Sequence, residues 1–247
     1  MLRYNRGMHR FYLSEEVKGD SIAIDNAEQL HHLRDVLRLR AGDGVAAFDG
    51  RGNEYDCIIA QLSRKRAVLA VKASKRAATE KVGLTIACAI PKKSGMDDIV
   101  DALTQLGVDA IIPMLTARVI VRLDERKKEA RLERWREIAR GAAEQSHRPG
   151  LPRVAPVTPI EDVIAGSGAF DLRLIPALTG ERRHIREVVA GARPQRILVL
   201  IGPEGDFTPQ EVALARDAGF IPVSLGENVL RVGTAAVAAA GYLRLAL

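Results

Sequence analysis

The sequence predicts an α/β protein in which a mostly parallel sheet, with helices on both faces, follows a small β-barrel. Three observations carry this. From residue 21 to about residue 73, short apolar runs alternate with glycine-rich turns. After Val82, strand-length apolar runs alternate with amphipathic stretches of helix length. No segment recurs at a period of 20 to 50 residues, which excludes a solenoid or propeller. The 247 residues allow one large domain or two modest ones, and 47% hydrophobic content is enough to bury a sizeable core.

In the first region Ser21-Ile22-Ala23-Ile24 alternates as a strand does, Ala27 to Val36 reads as a short helix, and Gly44 to Phe48 as the next strand. Asp49-Gly50-Arg51-Gly52 supplies turn chemistry, and Glu54 to Ala60 with Ala67 to Val71 completes a meander of barrel type. Ala73 to Glu80 lacks periodicity and reads as a linker, so the expected domains are 1–75 and 76–247. Gly83 to Ile90 is then a continuous apolar run, as a strand buried on both faces requires. Ser94 is placed to cap a helix in which Met96, Ile99, Val100, Leu103 and Leu106 recur at helical spacing until Gly107 stops it. Val108 to Leu115 is a strand. Asp124 to about His147 is a long helix with Leu132, Trp135, Ile138, Ala139 and Ala142 along one stripe. Asp171 to Ile175, Arg196 to Ile201 and Ile221 to Leu225 are further strands, with a helix over Arg182 to Val189. Thr208-Pro209-Gln210-Glu211 joins an N-cap, a first-turn proline and a capping-box acid in a helix that ends at Gly219. The alanine-rich tail from Thr234 is the last helix.

Composition narrows the function. A formal charge of +6 suits a surface that meets phosphates. No run of 18 apolar residues occurs, and Arg244 interrupts the most apolar segment, so neither a membrane span nor a secretory leader is expected. Cys57 and Cys88 are the only cysteines and both lie in apolar runs, which points to inert core thiols and a cytoplasmic location. None of the five histidines shows HxxxH or HExxH spacing, so no metal is expected.

Two glycine-bearing segments follow apolar strands: Ile201-Gly202-Pro203-Glu204-Gly205-Asp206, and Ser224-Leu225-Gly226 followed by Glu227-Asn228-Val229-Leu230-Arg231-Val232-Gly233-Thr234. In open α/β sheets ligands bind beyond the carboxyl ends of strands, and glycine lets the backbone approach them closely. Together these loops suit a flat heterocycle held by main-chain groups. Neither matches GxGxxG or a P-loop, and both could equally be plain β-to-α connections. Residues 118–153 hold eleven Lys/Arg against six Asp/Glu. Most of these charges read as a solvated helix face, with Glu133 and Glu137 beside Arg134 and Arg136. Gln145, His147 and Arg148 stand apart at the helix end. Arg10, His31, His32, Arg34, Arg38 and Arg40 form a second basic set that could contact phosphates.

Taken in order, these segments resemble one family. The resemblance rests on His31-His32-Leu33, Val36-Leu37-Arg38, Gly42-Asp43, Phe48-Asp49-Gly50 and Gly52 in the first region. In the second it rests on Pro91-Lys92, Leu106-Gly107-Val108-Asp109, Ala143-Glu144-Gln145 with Arg148, Gly202-Pro203-Glu204-Gly205, Leu225-Gly226 and Leu230-Arg231. The chain resembles the RsmE-type 16S ribosomal RNA uridine N3-methyltransferases of the SPOUT superfamily. The resemblance implies a PUA-like RNA-binding barrel, a SPOUT domain with a trefoil knot, and a homodimer acting on the small ribosomal subunit. It also implies S-adenosylmethionine held by Pro176, Ala177 and Leu178, by Ile201 to Gly205, by Leu225 and Gly226, and by Leu230, Arg231 and Val232. Arg10, His32, Arg34, Arg38, Lys92 and Arg148 would face RNA, and Gln145, Arg148, Arg231 and Glu204 are the candidate catalytic groups. Two positions depart from the family pattern. Gly233 stands where an acid is usual, with Thr234 a possible substitute cap, and Asp206 stands where a second glycine is usual. Methylation of another RNA, a non-catalytic RNA-binding assembly factor and a nucleotide-binding regulator are the alternative readings.

Overall fold

A computed structural model of the chain describes residues 8–15, 17, 19–77, 82–91, 95–119, 124–178 and 180–247. It divides into two compact units, Met1–Thr79 with Ala143–Leu151, and Glu80–Ala142 with Pro152–Leu247.

The first unit is a five-stranded half-barrel sheet. Its elements are β1 (Arg10–Tyr12), β2 (Ser21–Ile24), α1 (Ala27–His31), β3 (Gly44–Phe48), β4 (Asn53–Leu62) and β5 (Ala67–Arg76), in the sheet order β1-β3-β4-β5-β2. The β4–β5 ladder shifts register at Asp56/Cys57 and again at Ile59/Gln61. Such bulges bend a strand and raise its twist, which lets a small sheet wrap around its core. That core holds Phe11, Ile22, Leu33, Val45, Ile59 and Leu69. The helix expected over Ala27 to Val36 is α1 followed by a π-helical turn, His32–Val36. The expected linker begins later than Ala73, because β5 pairs with β4 as far as Arg76.

The second unit is built on an eight-stranded, all-parallel sheet. In chain order it contains β6 (Gly83–Ala89), α2 (Gly95–Gln105), β7 (Ala110–Leu115), α3 (Glu125–Gln145), β8 (Arg153–Val154), β9 (Thr158–Pro159) and α4 (Ile160–Ala165). Then follow β10 (Leu172–Pro176), β11 (Arg183–His184), α5 (Ile185–Val189), β12 (Arg196–Ile201), α6 (Pro209–Asp217), β13 (Ile221–Ser224) and α7 (Val232–Ala246). The sheet runs β11-β13-β10-β12-β6-β7-β8, with β9 also on β7. Alternate residues point to opposite faces. Leu84, Ile86, Cys88, Val199 and Ile201 pack with α2 and α7, while Ala87, Leu198 and Leu200 pack with α4 and α6. Burial on both faces is why these strands read as unbroken apolar runs.

The ends of the sheet are fixed by charged groups. Asp109 Oδ2 accepts from Leu84 N at 2.8 Å and from Arg244 Nη2 at 2.7 Å, and Arg244 Nη1 donates to Val82 O at 2.6 Å. The arginine that interrupts the apolar tail thus anchors α7 against the strand starts. The segment Arg182 to Val189 departs from the expected helix: its first residues pair with β13 and only Ile185 onward is helical. β1, β8, β9 and α4 have no counterpart among the expected elements. The three strands have three residues or fewer, too short to show a period. No helix among the described residues is long and apolar enough to cross a membrane.

Candidate active site

At the carboxyl ends of β10, β12 and β13 the second unit opens a cleft with about 750 Å³ of space not filled by atoms, its mouth included. Pro176-Ala177-Leu178 form one wall, Ile201 to Glu204 with Asp206 the next, and Val223 to Leu230 a third, with Val232 and Ala235 of α7 beneath. Local chemistry explains why each loop stands where it does. A Cβ on Gly202 would lie 2.9 Å from the Phe207 ring, so only glycine lets the chain leave β12 over that buried aromatic. Gly226 has φ +137, which disfavours any side chain there. Ser224 Oγ donates to Gly226 O at 2.8 Å and accepts from Gly226 N at 3.2 Å, closing the turn after β13.

Asp206 adopts φ +61, a left-handed conformation in which a short polar side chain is tolerated. Its Oδ2 accepts from Leu178 N at 2.9 Å, which ties the β10 loop to the glycine loop. The departure from a second glycine therefore supplies a cross-link between two walls. The Arg182 guanidinium binds the carbonyls of Ala177, at 2.9 Å, and Leu178. Behind the glycine loop, the buried Glu211 completes its capping box with Thr208 and also accepts from Ala117 N at 2.8 Å.

What remains open to a ligand is main chain and apolar surface. The backbone groups of Glu227 to Leu230 have no hydrogen-bond partner among the described residues. Leu178 and Val229 stand 42% and 72% exposed at the rim. Free amide donors and acceptors between apolar walls fit a planar heterocycle.

Family models match the chain in two places: an RNA methyltransferase domain over residues 78–244 and an RNA methyltransferase PUA domain over residues 24–72. The ribosomal RNA small subunit methyltransferase E of Synechocystis is 35% identical, over 94% of this chain and 76% of its own length. The chain belongs to the ribosomal RNA small subunit methyltransferase E family. The Bacillus subtilis member is 30% identical over 84% of each chain. Among solved structures, a methyltransferase of Legionella pneumophila in complex with SAM superimposes with a TM-score of 0.88 at 28% identity, over 97% of this chain and 98% of that one. The family member from Neisseria gonorrhoeae, bound to S-adenosyl methionine, gives 0.85 at 30% identity over 96% and 97%.

Most residues expected at the cofactor line this one cleft; Gly205 and Arg231 do not. Gly205 turns outward, its carbonyl held by Arg118, and Arg231 lines a neighbouring cleft together with Glu204. Thr234 does not cap α7. Arg231 is the N-cap residue and makes no side-chain capping bond. Ser224 and Asn228, within the second expected loop, also line the first cleft, whereas Arg182 does so without having been expected, because neither spacing nor turn chemistry marks it.

Gln145 and Arg148 belong to the first unit, whereas Glu204 and Arg231 belong to the second. α3 ends in a Schellman-type turn: Arg148 N donates to Ala143 O at 3.0 Å and His147 takes the left-handed position with φ +60. Gln145 is exposed there and Arg148 half-buried.

Arg10, expected to face RNA, is instead buried, with its side chain only 3% exposed. It donates to His147 O at 2.8 Å, pairs with Glu54 at 3.2 Å and covers the Phe48 ring. Arg34 donates through Nε and Nη2 to the two carboxylate oxygens of Asp35, which also meets His31 at 2.8 Å; these contacts hold the Asp35 carboxyl well below the usual carboxylate range. His32 and Arg38 are exposed, and Arg38 has φ +55. Lys92, like Ser94, lies outside the described residues.

Cys57 and Cys88 are buried, and burial pushes both thiols up to about 12, helped at Cys88 by the charge of Glu204. No group of three or more His, Cys, Asp or Glu placed to hold a metal occurs among the described residues.

Proposed function

We propose that this chain methylates N3 of a uridine in the 16S RNA of the small ribosomal subunit, using S-adenosylmethionine, as a cytoplasmic homodimer. The observation that carries this is the main-chain cleft at the ends of β10, β12 and β13. The relatives' names and the SAM-bound neighbours support it. Residues 1–75 would hold RNA and residues 76–247 the cofactor. The carboxy-terminal region would follow the knotted path that the family resemblance implies.

In this reading Gly202 to Glu204 and Glu227 to Leu230 hold the cofactor through backbone groups, and Leu178 and Val229 cover its apolar parts. The bound cofactor supplies an electrophilic methyl group. The protein's task is then to fix the uridine in line and to accept the charge that develops as N3 loses its proton. Positioning of this kind contributes at most about 7–11 kcal/mol. Gln145, Arg148 and Arg231 are each candidates to stabilise negative charge on the base carbonyls, and Glu204 is the weaker candidate for proton acceptance. N3 lies on the Watson–Crick edge, so the base must be unpaired and turned outward. Arg38, His32, Lys92 and Arg148 would add salt-dependent affinity for the RNA backbone.

Methylation of naked 16S RNA, isolated small subunits and tRNA, read by mass spectrometry, tests this. The expected product is 3-methyluridine in 16S RNA, made faster on the assembled particle. Activity on tRNA alone overturns the substrate, and absence of cofactor binding at millimolar concentration overturns the enzyme.

A further inference from the structure

A second cleft opens beside the first, between the start of α2 and the start of α7. Its apolar walls include Pro91, Ile99 and Val237, and its charged groups are Asp98, Glu204 and Arg231. Glu204 and Val232 line both clefts, so a molecule in the second lies one side chain away from a molecule in the first.

The two acids in the first turn of α2 are used differently. Asp97 accepts from Arg134 Nε at 2.9 Å and from Trp135 Nε1 at 3.1 Å, fastening α2 to α3. Asp98 is exposed to the cleft and has no hydrogen-bond or ion-pair partner among the described residues, and the same holds for the Arg231 guanidinium. Glu204, equally exposed and without a partner among the described residues, also lines the first cleft, so Asp98 is the one carboxylate that belongs to the second cleft alone. Apolar walls, a cation and a carboxylate suit a pyrimidine bearing both carbonyl oxygens and an imide N–H.

We propose that the second cleft receives the acceptor pyrimidine and that Asp98 is the catalytic residue that takes the proton from its N3, an inference that rests on the methyl-transfer function above. A carbon–nitrogen bond forms at N3 while the donor's carbon–sulfur bond breaks and its electron pair stays on sulfur. The N3 proton passes to the Asp98 carboxylate and from there to water. Arg231 faces the carbonyl oxygens that gain charge. The same carboxylate disfavours cytosine, whose N3 presents a lone pair instead of a proton.

Gly233 offers the means of testing this. It lines the same cleft, and a Cβ there would lie 3.4 Å from Ile99 Cγ1, an ordinary contact. A glutamate at this position would therefore enter the cleft without disturbing α7, where an acid in the first turn is favourable.

The experiment compares wild type, D98N and D98N/G233E on small subunits that lack the modification. D98N is expected to lower kcat by about 10²-fold or more, as loss of a general base does. Donor affinity by calorimetry and retention of small subunits on the protein should stay within about threefold, since phosphate contacts dominate RNA affinity. The double variant should regain about tenfold in kcat or more, because one carboxylate stands in for the other. A D98N protein that turns over within about threefold of wild type overturns the role of Asp98, because a lost general base costs far more. Equal losses of donor affinity and kcat, or a double variant that binds donor and shows no recovery, also overturn it. Wild-type protein that methylates no small-subunit uridine at N3 overturns the functional reading itself, a distinct result.

Discussion

The two units differ in what they make their surfaces from. In the half-barrel unit some of the charged side chains that read as a binding set are engaged with their neighbours: Arg10 is buried against Glu54 and His147, and Arg34 is held by Asp35. In the sheet unit the cleft is formed by backbone that bends away from strand ends, and its charged side chains stay at the edges. A charged residue can thus look like a binding group in the text and act as a structural strut. Where glycine and turn geometry fix the path, side-chain identity matters less.

The sharpest way to break this contrast is Arg10→Ala. Leaving Glu54 half-buried without its closest cation should cost about 3–5 kcal/mol, as removal of one member of a buried pair does. The check is a chemical denaturation curve, and a loss below about 1 kcal/mol, as expected of a surface pair, would return Arg10 to the surface set. Gly202→Ala comes next. Forcing a Cβ against Phe207 should cost about 1–3 kcal/mol of stability and weaken cofactor binding, read by thermal melts and calorimetry with and without S-adenosylmethionine. Asp206→Ala removes the acceptor of Leu178 N and should cost about 1–2 kcal/mol, with a looser cofactor site measured the same way. Arg38→Ala should leave melting unchanged and lower the salt slope of RNA binding by about 1 if Arg38 meets a phosphate. Smallest is the thiol response. With both thiols raised to about 12, native protein should resist alkylation at pH 8 and label fully only when unfolded. The same shift stabilises the fold below the ordinary thiol range, and this contribution fades as pH rises towards 12.

Legibility in the sequence followed the same division. The strands β3 and β12, the capping box at Thr208 and both glycine loops were visible because each has a local cause: an apolar run, a side-chain cap, a left-handed turn. The cleft was legible for that reason. The bond from Asp206 to Leu178, the tie from Glu211 to Ala117 and the burial of Arg10 join residues far apart in the chain, and no spacing encodes them. Asp98 carries no signal of its own in the sequence, where it is one of two adjacent acids at the start of α2; only the structure shows Asp97 engaged by Arg134 and Trp135 and Asp98 left without a partner among the described residues.

The last turn of α3 has a consequence for how the protein is made. Residues Ala143–Leu151 belong to the half-barrel unit, where Glu144 accepts from Tyr12 N at 2.9 Å, His147 O receives Arg10, and Leu151 N donates to Gly50 O at 2.9 Å. A fragment ending near residue 79 lacks this piece and should be soluble only poorly, if at all, on expression alone. During translation the half-barrel therefore stays unfinished until more than half of the polypeptide has left the exit tunnel.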